Sequence, residues 1–259
     1  KLVTGVQTCA LPISHSTVAT ITLRLPETVR ASASVSFDLA SAFGTGPTGE
    51  LLVIGVVDDR QLQGLQGAGW RITDCLSAET LRDDLDALSR MAAAAADRYD
   101  GILLVGCFEQ TYEPGRLLEA CHRLLKPQGV LVLVTPNSAS LLCKLFKGYW
   151  HGFNAPRNLV IHNRSSVRSL LTAAGFTIIN VSTSSGKSDR YALHSLESLL
   201  NKWTSGSVDP RTGRRWPALL FRACGAVLGL FLRGQGDECV AVASKTVLRT
   251  DGQLSGKGN

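Results

Sequence analysis

Two loop segments hold the side chains best suited to chemistry. Trp150-His151-Gly152 sets an imidazole between an aromatic and a glycine. Its ordinary ionisation lies near neutral pH, so His151 can take a proton from a hydroxyl acceptor. A single loop histidine is also ordinary surface. The run Gly106-Cys107-Phe108-Glu109-Gln110 follows an apolar stretch and offers a carboxylate, Glu109, for a ligand or for the amides of its own loop. Cys107 has no basic neighbour to lower its pKa, which favours a buried small hydrophobe over a nucleophile. Gly55 closes the apolar run LLVIGVV and is followed by Asp58 and Asp59. A glycine there lets backbone approach a ligand or simply ends a strand. The aspartates suit the positive end of a helix as well as a site. Arg157 suits an acidic substrate or a helix end, and the sequence does not separate the two.

Composition bounds these options. The chain has 259 residues, 44% hydrophobic and 19% charged, enough for one sizeable core. The formal charge of +6 is spread out, which reads as a solvated basic face and sets no expectation of nucleic acid. Seven cysteines form no CxxC pair and no zinc-spaced cluster with histidine. That predicts a reducing cytoplasm, no disulfide framework and no metal.

The elements that must position these residues alternate. LLVIGVV (51–57) predicts a strand buried on both faces. A short helix follows, closed by Gly67 or Gly69, then a strand over 70–75. Ser77 caps one long helix running to Ala96. Strands are expected at 99–105 and, after a Pro-Gln-Gly turn, at 130–135, with a helix at 114–125 between them. Asn163 caps a helix that Gly175 ends. Strands over 176–183 and 237–245 complete the pattern and should form a hairpin-like edge. Such alternation implies βαβ units and a parallel sheet. The apolar run 216–233 is too short to span a bilayer, which needs about 20 residues, and Arg222 interrupts it. It covers the sheet or, alternatively, lies on a membrane surface with Arg211, Arg214, Arg215 and Arg233 near the headgroups.

LLKPQG, then TPN, YWHGFNAPRNL, AAGF and GDECVAVASK resemble, in that order, the class I S-adenosylmethionine-dependent methyltransferases. The likeness is closest to their bacterial small-molecule and glycan-associated branch. It covers Gly49 to Lys245 and is specific from Asp100 onward. It implies an α/β, Rossmann-like, mostly parallel sheet of six or seven strands, the last antiparallel, with helices on both faces. It also implies S-adenosylmethionine as methyl donor and a small-molecule or glycan-precursor acceptor.

By resemblance, Gly55, Asp58, Asp74, Cys107, Phe108 and Glu109 are the candidates to hold the donor; His151, in a loop facing the expected acceptor side, is the candidate catalytic base. The motif is degenerate. GVVDD stands where the family has GxGxG, so Val56, Val57 and Asp59 add side chains there. The ribose-binding carboxylate position falls on Leu76, with Asp74 nearby. The family's third strand has no counterpart between Ser77 and Asp97, and Asn158 stands where the family has histidine. Readings that compete with a methyltransferase are a catalytically inactive binding or regulatory module of the same fold, and a peripheral membrane protein presenting 216–233.

Val3 to Ser14, VTGVQTCALPIS, resembles the in-frame translation of a common sequencing adapter. The expected organisation is therefore 1–14 non-native, 15–48 a poorly patterned lead-in and 49–245 the methyltransferase domain, with 184–235 a helical insertion and 246–259 a flexible tail. The expected location is the cytoplasm, with the membrane surface as the alternative.

Overall fold

In this computed structural model the described residues are 43, 49–55, 57–186, 188–204 and 235–245. Val56 and the segment 216–233 lie outside them, as do 1–14 and 246–259. The expectations placed on those residues concern parts of the chain outside the description.

Six strands form one sheet: β1 (Glu50–Gly55), β2 (Arg71–Leu76), β3 (Tyr99–Val105), β4 (Leu125–Pro136), β5 (Phe176–Ser184) and β6 (Glu238–Lys245). Their order across the sheet is β2-β1-β3-β4-β6-β5. The first four pair in parallel, and β6 runs antiparallel to both β4 and β5. The chain moves outward from β1 to β2 and then crosses back to β3 on the other side of β1. That reversal creates a crevice at the carboxyl ends of β1 and β3, the place where open α/β sheets bind ligands.

Period-two alternation explains the two cores. Leu52, Ile54, Ile102, Leu104, Leu131 and Leu133 face one side of the sheet. Leu51, Val53, Leu103, Val105, Val132 and Val134 face the other. Helices α2 (Ala78–Asp83), α3 (Leu85–Ala94), α4 (Pro114–Leu124) and α6 (Arg164–Ala173) cover the first side. Helix α1 (Asp59–Gly67) brings Leu65 to the second, beside Trp70 and Phe43. Each such leucine, fully buried, contributes roughly 1.5–3 kcal/mol of transfer free energy. Two further helices, α5 (Leu141–Phe146) and α7 (Ser188–Thr204), pack together around Phe146, Trp150 and Ala192.

Two local differences from the sequence pattern have physical causes. The single helix expected over 77–96 is broken at Asp84, whose backbone (φ −146°, ψ 79°) leaves the helical region. Its carboxylate accepts a hydrogen bond from the Ala87 amide at 2.8 Å and pairs with Arg90, so Asp84 caps a second helix rather than continuing the first. The strand expected to begin at Val130 begins at Leu125, opposite Tyr99. A bulge before Val130, with Gln128 at φ +67°, absorbs the extra residues of the Pro-Gln-Gly segment. The last two strands form the expected antiparallel edge, with β6 between β4 and β5. No strand stands beyond β2 among the described residues; α2 and α3 lead straight from β2 to β3.

Candidate functional site

At the carboxyl ends of β3 and β4 the sheet opens into a cavity of about 260 Å³. The loop after β3 forms its floor. Gly106 turns the chain at φ +63°, and a Cβ built there meets only Glu109 Oε1, at 3.9 Å. The backbone is therefore bare toward open space at this point. Cys107 and Phe108 plunge into the core, and the Phe108 ring packs 4.6 Å from the buried His162 ring. This anchors the short 3₁₀ turn Phe108–Gln110 and holds Glu109 at the cavity with only 3% exposure. The Thr135 hydroxyl, at the end of β4, donates to Glu109 Oε2 at 3.0 Å. The Glu109 carbonyl accepts from the amides of Leu159 and Val160, so the Pro-Arg-Asn-Leu segment is stitched to the switch loop. Gln110 donates to the Gly106 carbonyl and accepts from Arg157 Nε at 3.3 Å.

Helix α7 and the Trp-His-Gly turn form the other wall. The His151 amide donates to Ser195 Oγ at 2.8 Å. Trp150 is buried and stacks on Tyr191 with ring centroids 5.7 Å apart. These contacts fix the turn to α7 and set the His151 ring 4.6 Å from that of His194. His194 Nδ1 in turn lies 3.0 Å from Glu197 Oε2. Loss of solvent around His151 holds its pKa below the ordinary 6.5, and the nearby charges of His194 and Arg190 add to that. Both effects favour the neutral ring, the form that accepts a proton, against a smaller opposing pull from Glu197.

Of the seven residues expected at the site, His151 and Glu109 line the cavity. The other five have scaffold contacts. Gly55 lies at φ +110°, and a Cβ there would stand 1.9 Å from the Val105 carbonyl oxygen, so β1 and β3 close up only over glycine. Asp58 caps α1, accepting from the Gln61 amide at 2.8 Å while Gln61 accepts from the Asp58 amide. Asp74 accepts from the Tyr99 hydroxyl at 2.6 Å and pairs with Arg98 at 2.9 Å. Cys107 donates from Sγ to the Ile54 carbonyl at 3.6 Å, and burial pushes its thiol well above the usual range, so no thiolate forms. Phe108 is core.

The sequence reading missed Gly106, Thr135, Arg190, His194 and Glu238, all of which line the cavity. A signal existed for two of them. Arg190 and His194 stand four residues apart, one face of a helix, but 188–204 was read only as part of a helical insertion.

The donor that the sequence resemblance implies meets these residues in part. The bare backbone of Gly106 beside Glu109 and Thr135 suits its aminoacyl end. At the end of β2 stands Leu76, packed against the core, where a ribose would need a carboxylate.

The description that matches the chain is that of a methyltransferase domain, over residues 49–181. No curated protein matches. Among solved structures, the chain resembles one chain of the complex between the Haloferax volcanii Trm112 methyltransferase activator and a methyltransferase. The identity there is 11%, the TM-score 0.50, and coverage is 81% of this chain and 89% of that one. It also resembles a SAM-dependent methyltransferase from Archaeoglobus fulgidus, with 13% identity, a TM-score of 0.45 and coverage of 78% and 88%. A third is the 1,6-didemethyltoxoflavin-N1-methyltransferase of Burkholderia thailandensis, with 16% identity, a TM-score of 0.44 and coverage of 80% and 75%. At these identities the likeness concerns the fold. The family description spans more than half of the sequence, on the mostly parallel six-stranded sheet with an antiparallel last strand that the motifs led one to expect: the chain belongs to the methyltransferase domain family.

Proposed function

We propose that this chain transfers a methyl group from S-adenosylmethionine to an oxygen or nitrogen of a small molecule or glycan precursor. The observation that carries the reading is the cavity itself. It opens at the carboxyl ends of β3 and β4, over the exposed backbone of Gly106, with His151 on the opposite wall, its pKa held below the ordinary value. In-line methyl transfer depends chiefly on bringing the two reactants together in line, so the site needs few chemical groups. Gly106, Glu109 and Thr135 hold the aminoacyl end of the donor. The donor supplies the electrophilic methyl. His151 takes the proton from the acceptor. The unit that performs this is 49–245, with 184–235 contributing α7 as one wall of the site.

A second reading has its own support. Leu76 at the end of β2 and the engagement of Asp74 by Tyr99 and Arg98 leave the ribose without its usual carboxylate. A methyltransferase fold that binds ligand or partner without transfer fits those two facts. Isothermal titration of the full chain with S-adenosylmethionine and with S-adenosylhomocysteine separates the two. Saturable heat near one-to-one stoichiometry supports the enzyme. Absence of heat at high protein concentration leaves the non-catalytic module.

A further inference from the structure

The mouth of the cavity and its floor differ in charge. The carboxylates lie deep: Glu109 and Glu238 are 3% and 7% exposed. The cationic groups lie at the rim, where Arg157 and His194 are exposed and Arg190 partly so. Arg190 projects from the first turn of α7. Arg157 donates from Nε to Gln110 Oε1 at 3.3 Å, which engages neither of its terminal nitrogens. Neither guanidinium has a carboxylate within ion-pair distance among the described residues. The same holds of Arg60, Arg123, Arg164 and Arg168; Arg157 and Arg190 differ in standing beside two histidines at the entrance to a cavity. A planar guanidinium is matched by a carboxylate or phosphate, which it grips with two parallel hydrogen bonds.

We propose that the methyl acceptor carries an anionic group, a carboxylate or a phosphate, which Arg157 and Arg190 bind at the cavity mouth while its nucleophilic atom lies against His151. The inference rests on the methyl-transfer reading for the word acceptor; the anion site stands on its own geometry. Held at the rim, the anion leaves the floor over Gly106 free for a second molecule. It also selects among small molecules by charge before the reacting atom is presented.

The test uses inorganic phosphate and, separately, malonate, titrated into the full chain at constant ionic strength and pH 7. The ring-proton resonances of the histidines report binding, with those of His151 assigned from His151→Gln. A saturable shift in His151 and His194 is expected with at least one anion. The anion that saturates identifies whether the group is phosphate or carboxylate. Arg157→Gln and Arg190→Gln combined should weaken that binding about tenfold or more, the scale of a lost charge-assisted pair. Both residues are at the surface rim, and an unchanged thermal midpoint confirms that the fold is intact. Absence of saturation with either anion, or equal affinity in the double variant, overturns the proposal. Titration with S-adenosylhomocysteine is run in parallel. Anion binding without it sinks methyl transfer alone, and the converse sinks the anion site alone.

Discussion

Gly55 marks the point where β1 ends beside β3, and its backbone at φ +110° is open to glycine at little cost. A methyl group there would sit 1.9 Å from the Val105 carbonyl, so the strands must part to admit it. Gly55→Ala should therefore destabilise by about 2–4 kcal/mol, combining left-handed strain with the clash. Urea unfolding at neutral pH measures it, and a loss under 1 kcal/mol would show that the strand ends give way easily. His151 is the residue where chemistry and environment meet. With its pKa held below 6.5, the proton-accepting form persists into mildly acidic solution. His151→Gln should lower the turnover number by about 10²-fold, the lower end of what a positioned base supplies, and should abolish the acid limb of the rate profile. Equal rates for the two proteins would leave His151 as part of the wall. His151 and Glu109, singled out from loop position and residue type, both line the cavity. The partners of Asp74 were not legible, because strand register does not reveal a partner from a distant strand: the Tyr99 hydroxyl donates to it from across the sheet.

At the scale of elements, the fold was readable wherever a cap or a run was local. Asn163 accepts from the Ser166 amide at 2.9 Å while Ser166 Oγ accepts from the Asn163 amide, a closed capping pair at the start of α6. Gly175, at φ +85°, ends the same helix. Asn163→Ala should cost about 1 kcal/mol and lower the thermal midpoint by roughly 2–4 °C. An unchanged midpoint would mean that packing of Val167 and Leu171 alone sets the helix. Elements that depend on distant partners were harder. The extension of β4 back to Leu125 is dictated by pairing with Tyr99, and the break at Asp84 by a choice between two equally helical continuations. The wall of the site made by α7 belongs to this class. Its residues have modest helical amphipathicity, and what defines them is contact with Trp150 and His151, forty residues earlier in the chain.

Across the whole molecule, three histidines share one electrostatic bias. His122, His151 and His162 are each held below the ordinary 6.5, first by loss of solvent, and for His162 by that alone. The fold favours the neutral ring, so the unfolded chain binds protons more readily below about pH 6.5. Stability from this source is complete above that pH and is lost as the pH falls beneath it. Asp237 acts in the opposite sense. Burial beside Ser188 lifts its carboxyl from 3.8 to about 6, so the folded chain retains a proton that the unfolded chain releases in that window. Its contribution grows toward acid, whereas its buried charge is a cost above pH 6. Between pH 6.5 and 6 the histidines act first, and below 6 the two effects oppose each other. His162→Phe isolates one of them, since a phenyl ring preserves the packing on Phe108 and cannot ionise. The slope of unfolding free energy between pH 6.5 and 5.5 should flatten by up to about 1.4 kcal/mol per pH unit, the linkage value of one proton. Above pH 7.5 the slope should be unchanged. Urea midpoints for both proteins at pH 5.5, 6.5 and 7.5 measure this, and parallel curves would show that His162 takes up its proton in the folded chain as readily as in the unfolded one.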